Sequence, residues 1–317
     1  KMRTLPGEPV DPELVIVTDD TFCGASPRME KTRVAARAVL TPLLERNLIP
    51  VIGGFVGRSE VDGATTTLGR NGSDYSAAII ANAIGAAEVQ IWTDVDGLLT
   101  CDPRLVPGAR VIERLSFDEA AELAQFGAKL HPKTLEPAVA ANIPVRVLNT
   151  HNPSSPGTLI TRATASEGPR SIARKKNVTM VHVTSNRMLG AHGFLAHLFA
   201  EFAALKLSVD LIATSEVSVT VTVDEAPEVE ELKQRLEKVA EHVEVTGHNC
   251  IIAVVGHNLM TDSRAGARVL EALQGMAVKM ISLGRSGLNL SIVVDDANAD
   301  DAVKRIHHAL FEAAVTA

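Results

Sequence analysis

The chain reads as an α/β protein, a doubly wound, mainly parallel sheet followed by two smaller modules of the ferredoxin-like βαββαβ kind. Three observations predict this. Over residues 14 to 160, short apolar runs of strand length alternate with helical stretches, the order that builds a parallel sheet with helices on both faces. Hydrophobic residues make up 46% of the chain but aromatic ones only 3%, so the core is Ala, Val, Leu and Ile, which suits helices packed on parallel strands rather than a sandwich. Beyond a polar break the sequence repeats at an interval of about 70 residues, so two like modules follow the first domain.

Pro6, Pro9 and Pro12 keep the first dozen residues irregular, and Leu14-Val15-Ile16-Val17 then predicts a strand ending in Thr18-Asp19-Asp20. Met29 to Leu44 reads as a helix that Pro42 kinks or shortens, and Leu48 to Ile52 as a second buried strand leading into a tight turn at Gly53-Gly54-Phe55-Val56-Gly57. A polar Gly turn, Thr66 to Asp74, opens onto a small-residue helix from Tyr75 to Ile84. Val89 to Trp92 is a buried strand that passes straight into Thr93-Asp94-Val95-Asp96-Gly97 and on to Asp102-Pro103-Arg104. Phe117 to Phe126 is a helix capped by Ser116 and closed by Gly127; Thr134 to Ala141 is another, and Val145 to Leu148 a strand. Thr161 to Lys176 is polar and without hydrophobic period, so it reads as a linker. Ser208 to Ile212 recurs as Ala277 to Ile281 and Val217 to Asp224 as Leu288 to Asp295. The boundaries fall at 1–164 for the first domain, 165–177 for the linker, and 178–248 and 249–317 for the modules.

Composition narrows the class. A net charge of -7 without a basic cluster argues against nucleic acid and anionic membranes as partners, and the apolar runs stop well short of the roughly 18 residues of a membrane span. The start has no apolar signal region, and the three cysteines, Cys23, Cys101 and Cys250, are odd in number and far apart, so the chain reads as cytoplasmic without disulfides. No Walker-type P-loop and no Gly-x-Gly-x-x-Gly after a strand occurs. His192, His197, His242, His248, His257, His307 and His308 have no metal-ligand spacing and read as surface or interface residues, so no metal ligands are assigned.

Two stretches carry chemistry. Arg70-Asn71-Gly72-Ser73-Asp74 sits at a helix N-terminus, where free amides attract anions, and combines a guanidinium that forks onto carboxylate or phosphate with an acid that holds Mg2+ or an ammonium. The bland alternative is a solvated turn capping a helix. Thr93 to Arg104 puts three carboxylates and an Arg at a strand end, the place where open α/β sheets bind ligands; its alternative is a polar loop with a turn at Asp96-Gly97. Lys129 and Lys133 make the entry to the Thr134 helix cationic, where acidic residues are usual, and a bound anion would account for that.

Taken together, these residues resemble the aspartate kinases of the amino-acid kinase superfamily. The Thr-Asp-Val-Asp-Gly and Asp-Pro-Arg elements belong to the superfamily at large. Thr-Thr-Leu-Gly-Arg-x-Gly-Ser-Asp, Gly-Ala-Lys with His-Pro-Lys-Thr, Arg187-Met188-Leu189-Gly190, Val209-Asp210 and Thr214-Ser215-Glu216-Val217 are the narrower pattern, and the resemblance covers nearly the whole chain. It implies an amino-acid-kinase-like sheet followed by tandem ACT modules, and ATP- and Mg2+-dependent phosphorylation of the β-carboxylate of L-aspartate, the first step toward lysine, threonine and methionine. Carried over by position, Arg70, Ser73 and Asp74 would contact aspartate; Thr93, Asp94, Arg104 and Lys129 would hold ATP. Met188, Phe194, Leu195, Val209, Asp210, Ser215 and Glu216 would bind an amino-acid effector, lysine or else threonine, and the chain would form a homodimer or larger assembly through its ACT modules.

The chain departs from the pattern in places. The family's opening Lys-Phe-Gly-Gly-Thr-Ser and a later substrate-binding Glu are missing, so the chain reads as N-terminally truncated. Asn71 replaces the usual Gly, Leu99 stands where many members carry Tyr, and Lys129-Leu130-His131 is one residue short. The alternative function is a non-catalytic lysine-sensing regulatory subunit of the same family.

Overall fold

The computed structural model describes residues 5–69, 71–126, 132–163, 167–259 and 263–312. The chain divides into two units, Lys1–Leu98 with Val111–Ala165, and Leu99–Arg110 with Ser166–Ala317. Among the described residues no helix is long and apolar enough to cross a membrane.

The first unit is built on short, mainly parallel strands. β1 (Gly7–Val10) pairs in parallel with β3 (Ile49–Ile52), and β2 (Val17–Thr18) in parallel with β4 (Val56–Ser59), which turns back antiparallel onto β5 (Thr65–Thr67). A four-stranded sheet runs in the order β6 (Val89–Thr93), β8 (Val145–Asn149), β9 (Thr158–Thr161), β7 (Arg114–Ser116), with β6–β8 and β7–β9 parallel. Helix α1 (Met29–Glu45) docks through Thr32, Ala36 and Leu40, spaced four apart on one face, and the Thr32 hydroxyl both accepts from Val17 N and donates to Val17 O at 3.0 Å. Helix α2 (Gly72–Ile84) adds Tyr75, Ile79 and Ala83 to the same core. Asn82 of α2 donates to Pro137 O (2.7 Å) of α4 (Pro132–Ala141), while α3 (Phe117–Gln125) starts in a capping box: Ser116 N donates to Glu119 Oε2 at 2.7 Å and Glu119 N to Ser116 Oγ at 3.1 Å.

Several expectations need correction here. Gly7–Val10 is a strand despite Pro9, tolerated because β1 has a single neighbour among the described residues and so one side on which no donor is needed. The expected strand at Leu14 begins only at Val17, because Pro12–Leu14 form a 3-10 turn capped by Asp11; Val15 and Ile16 are nevertheless fully buried. β3 alternates instead of being buried on both faces, with Ile49 and Val51 exposed. Helix α1 runs through Pro42, whose missing amide falls in the last turn, to Glu45. Three strands of three or four residues, β5, β7 and β9, are too short to show a period.

The second unit is one six-stranded antiparallel sheet in the order β11 (Val209–Thr214), β12 (Ser218–Asp224), β10 (Gly168–Thr184), β13 (His242–His257), β15 (Asn289–Asp295), β14 (Met280–Leu283). Helices α5 (Phe194–Ala204) and α6 (Glu228–Leu236) cover one half; α7 (Ser263–Ala272) and α8 (Ala299–His307) cover the other. β12 and β15, the repeated segments, are each seven residues long.

The two modules are interlaced, not sequential as the boundaries at 178–248 and 249–317 would have them. Residues 180–184 of β10 pair with 242–246 of β13 in the first module; past the bulges around Val178, residues 168–175 pair with 251–257 in the second. The stretch read as linker over 165–177 thus supplies, from Gly168 onward, the second module's fourth strand. Its polarity misled because Arg174 and Lys176 pair with Asp300, and Lys175 with Asp210 and Asp224, while Ser171 and Ile172 are buried. Residues 99–110 likewise do not stay with 1–164. Cys101 and Val106 enter the second module's core beside Val254, Leu273 and Ile306. His307, expected at the surface or an interface, is 1% exposed and meets Thr100 Oγ1 through Nε2 at 3.0 Å and Glu312 through Nδ1.

Candidate functional site

In the first unit the start of α2 is framed by two loops. Asn71 holds a left-handed conformation (φ 54), which Asn tolerates better than most residues, so it can stand where Gly is usual. A Cβ on Gly54 would meet Ser73 Cα at 2.6 Å, and one on Gly72 would meet Phe55 Cδ2 at 2.5 Å, so both must be glycine for the 53–55 loop to cross the helix end. Phe55 N donates to Ser76 Oγ (2.9 Å), which donates to Gly72 O (2.7 Å), and Ala25 N donates to Thr67 O (2.9 Å) from the loop on the other side. The first helical bond runs from Tyr75 N to Asn71 O, so the amides before it have no partner within the helix. Ser73 is exposed at this end and Asp74 is half-buried; burial raises the Asp74 carboxyl above its usual value. Arg70 lies outside the described residues.

A second cluster forms where the parallel strands β6 and β8 end together. Thr93 Oγ1 donates to Asp94 Oδ1 (3.0 Å), and Thr150 N and Oγ1 donate to Thr93 O (2.8 and 2.5 Å). Asp96 accepts from Asn149 Nδ2 (2.8 Å) and Asn152 Nδ2 (3.1 Å), and Gly97 (φ 140) lets the chain press onto Thr158, whose Oγ1 takes the Leu98 amide at 2.8 Å. Asn149, Thr150 and Asn152 were not foreseen as part of this cluster. Their signal is the same as that of Thr93-Asp94: an apolar strand, Val145 to Leu148, passing straight into Asn-Thr-His-Asn.

Arg104, expected beside them, belongs to the second unit, where its guanidinium and amide both engage Asp102 (2.7 Å for Nη2 to Oδ2, 2.9 Å for N to Oδ1), holding that carboxyl below the usual range. Lys129 lies outside the described residues, as do the other residues of the shortened 129–131 stretch.

In the second unit the first module holds the residues expected for an effector. Met188, Phe194 and Val209 pack partly buried against the Leu198–Phe202 cluster, with Gly193 (φ 84) opening α5 and Leu195 exposed. Val209 and Asp210 start β11; Ser215 and Glu216 lie in the turn after it, where Ser215 Oγ meets Ser218 Oγ at 2.7 Å. At about 3.4 Å per residue the two pairs stand some 17–20 Å apart along the strand, so one chain does not bring them together. Asp210, expected to be available for a ligand, already accepts from Lys175 Nζ at 2.9 and 2.8 Å.

Comparison with known proteins places this arrangement. The Amino acid kinase family model matches residues 2–149 and an ACT domain model residues 252–310. The lysine-sensitive aspartokinase 3 of Escherichia coli is 40% identical over 314 residues, 95% of this chain and 69% of that protein. The chain belongs to the aspartokinase family. Aspartokinase 3, chloroplastic, of Arabidopsis thaliana is 44% identical over 315 residues, 95% of this chain but 56% of that protein. The chain spans little more than half the length of the plant aspartokinases it matches. The crystal structure of E. coli aspartokinase III in complex with aspartate and ADP superposes with a TM-score of 0.83 at 38% identity, over 97% of this chain and 70% of that one. An aspartokinase is thus the frame for both clusters of the first unit and for the paired modules of the second.

Proposed function

We propose that this aspartokinase transfers the γ-phosphoryl group of ATP to the β-carboxylate of L-aspartate, giving 4-phospho-L-aspartate, and that lysine regulates it through the first ACT module. What supports the reading most is the likeness, over 97% of this chain, to an aspartokinase structure holding aspartate and ADP. The open helix end at Gly72–Asp74 suits a bound carboxylate: its amides, without partners in the helix, attract the anion, and the half-buried Asp74 offers the opposite charge to the substrate's ammonium. Arg70 and Ser73 complete the aspartate site in this proposal. Thr93 and Asp94, at the parallel strand ends, together with Lys129, would take the nucleotide. Arg104 enters only by resemblance, since Asp102 engages it. Mg2+ would neutralise charge on the phosphates. Among the described residues no group of three acidic, His or Cys side chains could cage an ion, which fits a metal held mainly by the nucleotide with one carboxylate such as that of Asp94. Phosphoryl transfer then needs orientation and fixed charge, and the helix end and strand ends supply both.

Lysine as effector rests on the relative named for its lysine sensitivity and on Met188, Phe194, Leu195, Val209 and Asp210 lying in one module. Ser215 and Glu216 join them if two copies pair through β11, an edge strand of the sheet with Ile212 46% exposed, because antiparallel pairing sets the end of one copy beside the start of the other.

Trapping acyl phosphate as its hydroxamate tests the reaction. ATP-dependent product from aspartate is expected, with Asp74→Asn lowering kcat/KM for aspartate about a hundredfold or more; equal product from glutamate would sink the assignment. Calorimetry tests the effector, with Asp210→Ala expected to weaken lysine about ten- to a hundredfold. Sedimentation tests the pairing, and a monomer at micromolar concentration would remove it.

A further inference from the structure

In the first module Lys175 Nζ reaches both oxygens of Asp210 and lies 2.7 Å from Asp224 Oδ1, so one ammonium bridges the start of β11 and the end of β12. Lys175 is not part of the module it serves. It stands opposite Ile251, on the stretch of β10 that completes the second module, at the bulge between Lys175 and Val178. The second module offers a control. The repeat sets Asp210 against Lys279 and Asp224 against Asp295. There the ammonium comes from position 279 itself: Lys279 Nζ bonds Asn249 Oδ1 at 2.8 Å and pairs with Asp295.

Each module therefore places one ammonium between the start of its second strand and the end of its third. In the second module that ammonium is bonded to an Asn with no exposure. In the first, an acid replaces the lysine and the cation arrives from a neighbouring strand. Lys175 and Asp210 side chains are each 24% exposed and Asp224 69%, so a solute can reach the cluster. Two carboxylates against one ammonium leave a net negative charge, which still attracts a second cation.

We infer that Lys175 occupies the position a ligand ammonium would take at Asp210, and that by competing for this carboxylate it sets the affinity of the module for its amino-acid effector. The inference rests on the effector reading proposed above and adds the residue that opposes binding. Whether the ligand ammonium displaces Lys175 or sits beside it, removing the lysine charge strengthens binding, because competition and like-charge repulsion are both relieved. The affinity observed with Lys175 in place is then the intrinsic one reduced by the fraction of time Asp210 is engaged.

Titration calorimetry of L-lysine into the whole chain tests this, with wild type beside Lys175→Met, Lys175→Gln and Lys175→Arg. The neutral variants are expected to bind about tenfold tighter or more, and the charge-keeping Lys175→Arg to stay within about threefold. The gain should vanish when Asp210→Asn is added to Lys175→Met. Wild-type binding with equal or weaker affinity in both neutral variants, each shown folded by circular dichroism and melting, would overturn the inference and leave the effector reading standing. No lysine binding to wild type or any variant would overturn the effector reading, and the inference with it.

Discussion

The two ACT modules meet the same local requirement with different residues. In the second, Lys279 pairs with Asp295 and donates to the buried Asn249. In the first, position 210 is acidic and the cation is Lys175, contributed by a strand that pairs into the other module. The repeat thus conserves the place of an ammonium in the sheet, not the residue that brings it. Moving the cation off the module's own sequence leaves a carboxylate whose partner can be exchanged, as a ligand site needs. The arrangement around buried Asn249, whose amide also donates to Val178 O and Thr246 O, is suited to structure alone.

The largest effect bears on the interlacing that makes this exchange possible. Ile172, 3% exposed, lies on the segment of β10 that pairs with Val254 of the second module. Ile172→Ala should cost about 2–5 kcal/mol in denaturant unfolding. Amide exchange should quicken in 249–257 and in β15 more than in β12. If residues 168–175 were only a linker, the loss would stay within about 0.5 kcal/mol, as for ordinary surface substitutions.

A smaller effect separates the two lysines. Removing Lys279 leaves Asn249 Oδ1 without its donor in a site with no exposure, so Lys279→Met should cost about 1–3 kcal/mol. Lys175→Met leaves only carboxylates that water reaches, and should cost less than about 1 kcal/mol. Urea melts of the two variants side by side decide this. Equal losses would mean that both cations are structural, and the contrast between the modules would fail.

How far the sequence discloses this depends on what each feature needs. The α/β order, helices α1 to α4 and the repeated β12 and β15 follow from local period and length, as with Thr32, Ala36 and Leu40 on one face of α1. The openings of the site are legible too: Gly72 to Asp74 at a helix start, and Thr93-Asp94 at a strand end, are turns of chemistry within a few residues. What stays hidden is partnership over long separations. Lys175 looks like one charge in a polar stretch until Asp210 is seen beside it. Asp102-Pro103-Arg104 follows the strand-end loop in sequence, yet the burial of Cys101 and Val106 draws it into the other unit. His307 gives no sign of burial until Thr100 meets it across the second unit.

Asp74 supplies the case that sharpens the comparison from the other side, a half-buried carboxylate with no ion pair to a described residue. Asp210 loses hydration but regains charge from Lys175, and burial is still the largest influence, leaving its carboxyl above the usual value. For Asp74, which has no ion pair or hydrogen bond with a described residue, burial raises the carboxyl as well. A carboxyl raised on folding binds its proton more tightly in the native state, so its contribution to stability is fully present below the unfolded value of 3.8 and is lost as pH rises through the folded value. Asn mimics the protonated form. Asp74→Asn should therefore raise Tm at pH 7, with the difference from wild type shrinking as pH falls and closing below about 3.8. Asp210→Asn should gain less at pH 7, because it also gives up the Lys175 pair, and its difference should depend on salt. Thermal melts from pH 3.5 to 8 at low and high salt read all of this. A Tm for Asp74→Asn that falls at neutral pH would show that the ionised form is the one the helix end stabilises, and that burial is outweighed there by the unpaired amides of α2.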